Sequence, residues 1–236
     1  MKWEPSGGSG VSITMTIQSQ HPTDTNPDRP GVSPAVMPPH PTPSEFELVP
    51  EIQNRWSPRA FSSRPVPRDL TRRLLEAARW APSSFNEQPW RFLVGDSESP
   101  AFRETLRDLL MDGNAWARRA PVLMLSAWRS RLTKNDKANR VALRDLGAAE
   151  ENLFLQAVSQ GLVAHQMGGF SVPAAEALLR EQGLGPEFEV GVMTAIGFPG
   201  DLDDLDGSLR ERELKPRKRK PLSEIALFGG AGDDEV

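Results

Sequence analysis

A chain of 236 residues, 38% hydrophobic and 25% charged, can bury one sizeable domain and has little left for a second. Its net charge of −4 gives no general attraction for nucleic acid or an anionic membrane. The absence of cysteine removes disulfides, thiolate nucleophiles and Fe–S clusters, so any redox chemistry must come from a bound organic cofactor.

No apolar run approaches the roughly 20 residues that span a bilayer, and no secretory signal opens the chain, so a cytoplasmic location is expected. The 22 prolines are concentrated before residue 70. Residues 1–43 are rich in Pro, Ser, Thr and Gly with no sustained apolar period, the composition of a disordered tail. A folded domain is expected over 44–228, followed by a flexible acidic end at 229–236.

Ser44 reads as an N-cap, predicting a helix from there to just before Ser57-Pro58. A second helix follows Pro67, because Leu70, Leu74, Leu75 and Ala78 recur at helical spacing, and it stops at Ala81-Pro82. Arg91–Gly95 predicts a strand and Phe102–Met111 an amphipathic helix. PVLMLSAW, at 121–128, is a continuous apolar run suited to a strand covered on both faces. The longest helical pattern runs from Val141 to Gln160 and is closed by Gly161; its small residues Gly147, Ala148 and Ala149 permit close approach of another helix or a flat ligand. A short helix at Ala174–Glu181 and a last strand at Glu189–Phe198 follow. The interleaving of helices and strands fits α+β with a mostly antiparallel or mixed sheet, or α/β.

Four clusters carry polar chemistry. Arg55, Trp56, Ser57 and Arg59 gather two guanidinium groups at a helix-to-loop junction, where they either bind an anion or make ordinary surface ion pairs. The stretch Ala81–Trp90, APSSFNEQPW, holds hydroxyls and amides between prolines, as a ligand-binding loop or as a plain Ser/Asn turn. His165-Gln166-Met167-Gly168-Gly169-Phe170 sets paired glycines after the long helix; His165, with no identifiable partner, reads as structural. Arg217-Lys218-Arg219-Lys220 is a basic run better suited to capturing a phosphate than to a nucleic-acid patch. There is no Gly-x-Gly-x-x-Gly after a strand, no phosphate-binding Gly-Lys-Ser/Thr loop and no Ser/His/Asp arrangement. With three histidines, two of them in the tail, no metal site is expected.

Taken in order, RWSPRAF, LLEAARWAPSSFNEQPWRFLV, DLGAAEENLFLQAVSQGL, MGGF, TAIGFPGD and RKRKPL resemble the nitroreductase family, over about Ser44 to Phe228. The resemblance implies an α+β sandwich, its central, mostly antiparallel sheet flanked by helices, in an interleaved homodimer with FMN bound where the subunits meet. It assigns phosphate and ring contacts to Arg55, Trp56, Ser57 and Arg59, and makes Arg59 the cation near flavin N1 and the C2 carbonyl. Pro82, Ser83, Ser84 and Asn86 would come from the second subunit, Met167, Gly168 and Gly169 would lie along the flavin, and Arg217 and Arg219 would reach the phosphate. Asn114 and Asp145 fall near positions that face the flavin in relatives. Trp56 departs from the family, where that position is polar or basic in many members.

The implied activity is ping-pong hydride transfer from NADH or NADPH through FMN to a nitroaromatic, a quinone or another electron-poor small molecule. Two alternatives stand beside it: a same-fold FMN enzyme with different chemistry, such as dehalogenation, flavin fragmentation or dehydrogenation, and a non-enzymatic flavin-binding module.

Overall fold

The computed structural model describes residues 42–227 and residue 229. Most of the segment expected to be a tail, and residues 230–236, lie outside the described residues. In chain order the elements are α1 (Pro50–Asn54), α2 (Arg68–Arg79), β1 (Trp90–Gly95), α3 (Pro100–Asp108), β2 (Val122–Arg129), α4 (Ala142–Ser159), β3 (Val163–Met167), α5 (Val172–Glu181), β4 (Phe188–Gly197) and α6 (Gly207–Glu213). Short 3-10 turns occupy Ser84–Asn86 and Asp112–Arg119.

The four strands form one antiparallel sheet in the order β1-β2-β4-β3. Strand alternation separates two apolar layers. Leu123, Leu125 and Ala127 of β2 pack with Leu106, Trp116, Met193 and Leu178 on the face covered by α3, the 112–119 turn and α5. Val122 and Met124 pack with Leu74, Leu146, Leu153 and Ala157 on the face covered by α2 and α4. Burial on both sides explains the unbroken apolar run of β2. The fold is the α+β sandwich that the resemblance implies. Among the described residues no helix is long and apolar enough to cross a membrane.

Local chemistry explains the element ends. Gly161, at φ 69°, terminates α4 with a Schellman motif, the Leu162 N–H reaching the Ala157 carbonyl at 2.9 Å and the Gly161 N–H reaching that of Val158. At the start of α2, Arg68 Nε donates to Asp96 at 2.6 Å and ties the helix to the end of β1. That guanidinium, helped by Ser99, holds the Asp96 carboxyl well below the usual carboxylate range.

One expectation is corrected. The first helix does not start at Ser44: Ser44 Oγ bonds locally to Phe46, and only the single turn Pro50–Asn54 is helical. Pro50 fits a first turn but not a helix interior, so the run cannot continue back through it. The segment around His165, to which the sequence assigns no element, contains the edge strand β3, five residues paired with β4 from Val163 opposite Gly197 to Met167 opposite Met193.

The sheet and α3 approach so closely at Gly95 that a Cβ there would lie 2.5 Å from Arg103 Cα, whereas one at Gly113 would meet nothing within 4 Å. Gly95→Ala is therefore expected to lower stability by about 1–3 kcal/mol in urea unfolding, and Gly113→Ala to leave it nearly unchanged. Equal midpoints for the two variants would contradict this packing.

Candidate active site

The segment after α1 is clipped to the end of the sheet. The Gly200 N–H donates to Ala60 and the Ser62 N–H to Phe198, with Phe61 bridged to Pro199. One step back, the Pro58 carbonyl accepts His165 Nδ1 at 2.9 Å. This seats Arg59 over Trp116, its guanidinium carbon 5.9 Å from the ring centroid. Trp116 is stacked on Phe61 at 6.2 Å and tilted against His165 at 4.6 Å. The Glu213 carboxylate, 4% exposed, accepts the Arg59 backbone N–H at 3.2 Å and lies 3.5 Å from Arg59 Nη1. The buried Trp56 Nε1 faces the same carboxylate, and Ser57 is exposed.

The basic run joins the same edge. Arg217 donates through Nη2 to the Arg55 carbonyl at 2.7 Å and through Nη1 to Thr42 Oγ1 at 2.6 Å. Burial first, then the positive charges of Arg55 and Arg219, push its pKa down. Opposite Arg55 stands Glu151 of α4, at 3.9 Å. Arg219 is exposed, its side chain donating to the Lys218 carbonyl. Arg55, Arg217 and Arg219 are thus gathered from two distant stretches of chain.

The paired glycines are fixed from the other layer. Asn114 Nδ2 donates to the Gly169 carbonyl at 2.9 Å, and the Met111 N–H reaches the same oxygen at 3.2 Å. Gly169 has no room for a side chain, since a Cβ would sit 2.6 Å from Asn114 Nδ2, whereas around Gly168 nothing lies within 4 Å. The Met167 side chain points into the core at 4% exposure, so this residue offers only backbone to a ligand.

The Pro82–Asn86 loop is built separately. The Ser84 N–H donates to Asp145 Oδ2 at 2.9 Å, and Asp145, fully buried near the start of α4, also pairs with Arg144. The Gln88 N–H donates to Ser83 Oγ, and Phe85, Asn86 and Gln88 all take positive φ. No hydrogen bond, ion pair or ring contact among the described residues joins this loop to Arg55–Arg59, Gly168 or Arg217.

Reasoning from sequence missed three contributors. Trp116 and Glu213 touch Arg59, and Glu150 of α4 sits between Ser126 and Gln166 with its carboxyl pushed up by burial. Glu213 lies in a run of charges that reads as a solvated face, so nothing local marks it. A cavity of about 460 Å³ also opens beside Trp116, between Asp112, Arg119, Asp206 and Arg212. Its walls carry both signs of charge.

With this sheet, and with these motifs on it, the molecule falls in a known class of α+β sandwich. The chain belongs to the nitroreductase family, whose model matches residues 52–198. It is 35% identical over 151 residues to an uncharacterized 15.4 kDa protein of Mycolicibacterium smegmatis, covering 61% of this chain and 98% of that one. It is 29% identical to Protein DrgA of Synechocystis over 53% of this chain and 71% of that one. Among solved structures it resembles an oxidoreductase containing FMN, at 36% identity and TM-score 0.72, over 80% of this chain and 94% of that one. A second, from Desulfovibrio desulfuricans in complex with FMN, matches at 27% identity and TM-score 0.60, over 79% and 99%.

Burial, aided by the charge of Arg59 and opposed by the Pro58 hydrogen bond, depresses the pKa of His165 to about 4, so the ring is neutral in the folded protein at pH 7. In the unfolded chain it takes up a proton near pH 6.5. The unfolded state therefore binds more protons between those values, and the His165 contribution, complete above about pH 6.5, is lost as the pH falls toward 4. Relative to His165→Gln, the wild type is expected to lose about 2 kcal/mol between pH 7 and pH 5 in urea unfolding. Parallel pH profiles would contradict a neutral, buried ring.

Proposed function

We propose that this chain is an FMN-dependent oxidoreductase, a homodimer that takes hydride from NADH or NADPH and passes it to a nitroaromatic, a quinone or another electron-poor small molecule by a ping-pong route. The observation that carries the reading is the basic edge where Arg55, Arg217 and Arg219 crowd together, opposed by Glu151 at 3.9 Å. Guanidinium groups gathered in this way are matched by a phosphate dianion, which brings two negative charges and oxygen acceptors for planar donors.

The remaining residues fit the same ligand. Gly168 leaves open the space that a side chain would fill, beside a backbone pinned by Asn114. Arg59 offers a cation with one edge held and the other open, its side chain 25% exposed. When bound, FMN supplies reversible hydride chemistry that no side chain of a cysteine-free protein provides. On this reading Arg55, Arg217 and Arg219 hold the phosphate, Trp56 and Ser57 line the segment between it and the ring, and Arg59 stabilises negative charge at the ring edge. His165, neutral, supports the Pro58–Arg59 backbone without adding a second cation.

Two observations support the homodimer. The Pro82–Asn86 loop is built in advance by Asp145, yet among the described residues no hydrogen bond, ion pair or ring contact joins it to the basic edge. The outer face of α4 is open at Gly147 and carries an exposed Leu143, while Phe85 at the loop tip is 88% exposed. A second copy would cover these apolar groups and bring Ser83, Ser84 and Asn86 to the cofactor.

The purified protein is expected to show flavin absorbance, or to acquire it with added FMN, to bleach under NADH or NADPH without oxygen, and to recover on adding a nitroaromatic or quinone. A colourless protein that takes up no FMN would sink the reading, and sluggish nitro reduction beside fast turnover of another substrate would favour different chemistry on the same cofactor. Arg217→Ala is expected to weaken FMN binding by about 10- to 100-fold, the loss of one or more charge-assisted hydrogen bonds. Arg59→Ala should slow flavin reduction more than it weakens binding; the reverse order would make Arg59 a phosphate ligand.

A further inference from the structure

The half-buried and buried carboxylates around the site have different tasks. Asp145 holds Ser84 and Glu150 faces Ser126 and Gln166, whereas Glu213, the last residue of α6, stands behind Arg59. Its Oε2 accepts the Arg59 backbone N–H at 3.2 Å and lies 3.5 Å from Nη1 of the same residue. Trp56, on the same segment, turns its indole N–H toward this carboxylate, and Arg59 is the charged group that faces it. His165 faces Arg59 from β3 as a neutral ring.

A neutral acceptor would satisfy the Arg59 N–H without the cost of burying a charge. The acid does two things a neutral group cannot. It draws one edge of the guanidinium back against the protein, and it offsets part of the positive charge that the open edge presents.

We propose that Glu213 is a positioning residue for Arg59, fixing where the guanidinium lies over Trp116 and limiting how much of its charge reaches an anionic ligand on the open side. The role rests on the FMN reading above, with Arg59 at the ring edge. In that setting Glu213 lowers the preference of the site for the reduced, more negative cofactor and so holds the reduction potential down.

Redox potentiometry of the full-length protein loaded with FMN separates the two claims. Glu213→Gln keeps an acceptor for the Arg59 N–H and removes the charge. The expected result is retained FMN and an affinity ratio for reduced over oxidised FMN raised about tenfold, which is about 30 mV for a two-electron couple. Arg59→Gln should lower the potential, and adding Glu213→Gln to it should change nothing further.

Equal potentials for wild type and Glu213→Gln, both holding FMN, overturn the role of Glu213 and leave the flavin reading standing. A wild type that takes up no FMN overturns both. Should Glu213→Gln fail to fold, the wild-type protein decides by NMR. The Arg59 amide resonance should follow the titration of a carboxyl lying above the ordinary glutamate range, where burial places Glu213. An Arg59 amide that does not move through that range overturns the proposal.

Discussion

Three acidic side chains on one helix set the reference frame of the site. Near the start of α4, Asp145 accepts the Ser84 N–H; further along, Glu150 faces Ser126 and Gln166 across the sheet, and Glu151 faces Arg55. From Asp145 to Glu151 is six residues, about 9 Å of helix axis. The helix is rigid over that length because its apolar face, with Leu146, Ala149, Leu153 and Ala157, is sealed against the sheet and α2. Moving α4 would move the Ser84 loop and the partner of Arg55 together.

The second constraint is electrostatic. A chain with net charge −4 nevertheless collects Arg55, Arg217 and Arg219 along one edge. Folding alone gives like charges no reason to converge, since each pair opposes compaction. Among the described residues Arg217 is held there by neutral acceptors, the Arg55 and Gln53 carbonyls and Thr42 Oγ1, with no carboxylate paired to it. This is the charge that the proposed phosphate of FMN would balance.

Strain is concentrated in the loop that Asp145 holds. Phe85, Asn86 and Gln88 hold left-handed backbone without glycine, each at a cost of order 1–3 kcal/mol, less for asparagine. The Asp145–Ser84 and Ser83–Gln88 hydrogen bonds, and the Thr133 donors on Glu87, lock that conformation in place. A loop held this tightly while exposing an aromatic at its tip is the feature on which the proposed homodimer rests.

Periodicity and punctuation alone determined most of the elements. Leu70–Ala78, the apolar run at 121–128 and the pattern ending at Gly161 all became the expected helix, central strand and helix, because their signals are local. Order and spacing of the polar motifs likewise identified the family. The sequence could not show β3, whose five residues become a strand only by pairing with β4, or the shortness of α1, where Pro50 outweighs a plausible cap at Ser44. It could not show that Met167 turns inward, that His165 finds its partner in the Pro58 carbonyl 107 residues away, or that Glu213 closes on Arg59 across 154 residues. Helix caps and apolar periods are written within a turn or two of chain. A buried ion pair depends on which surfaces meet, and only the packed tertiary structure decides that.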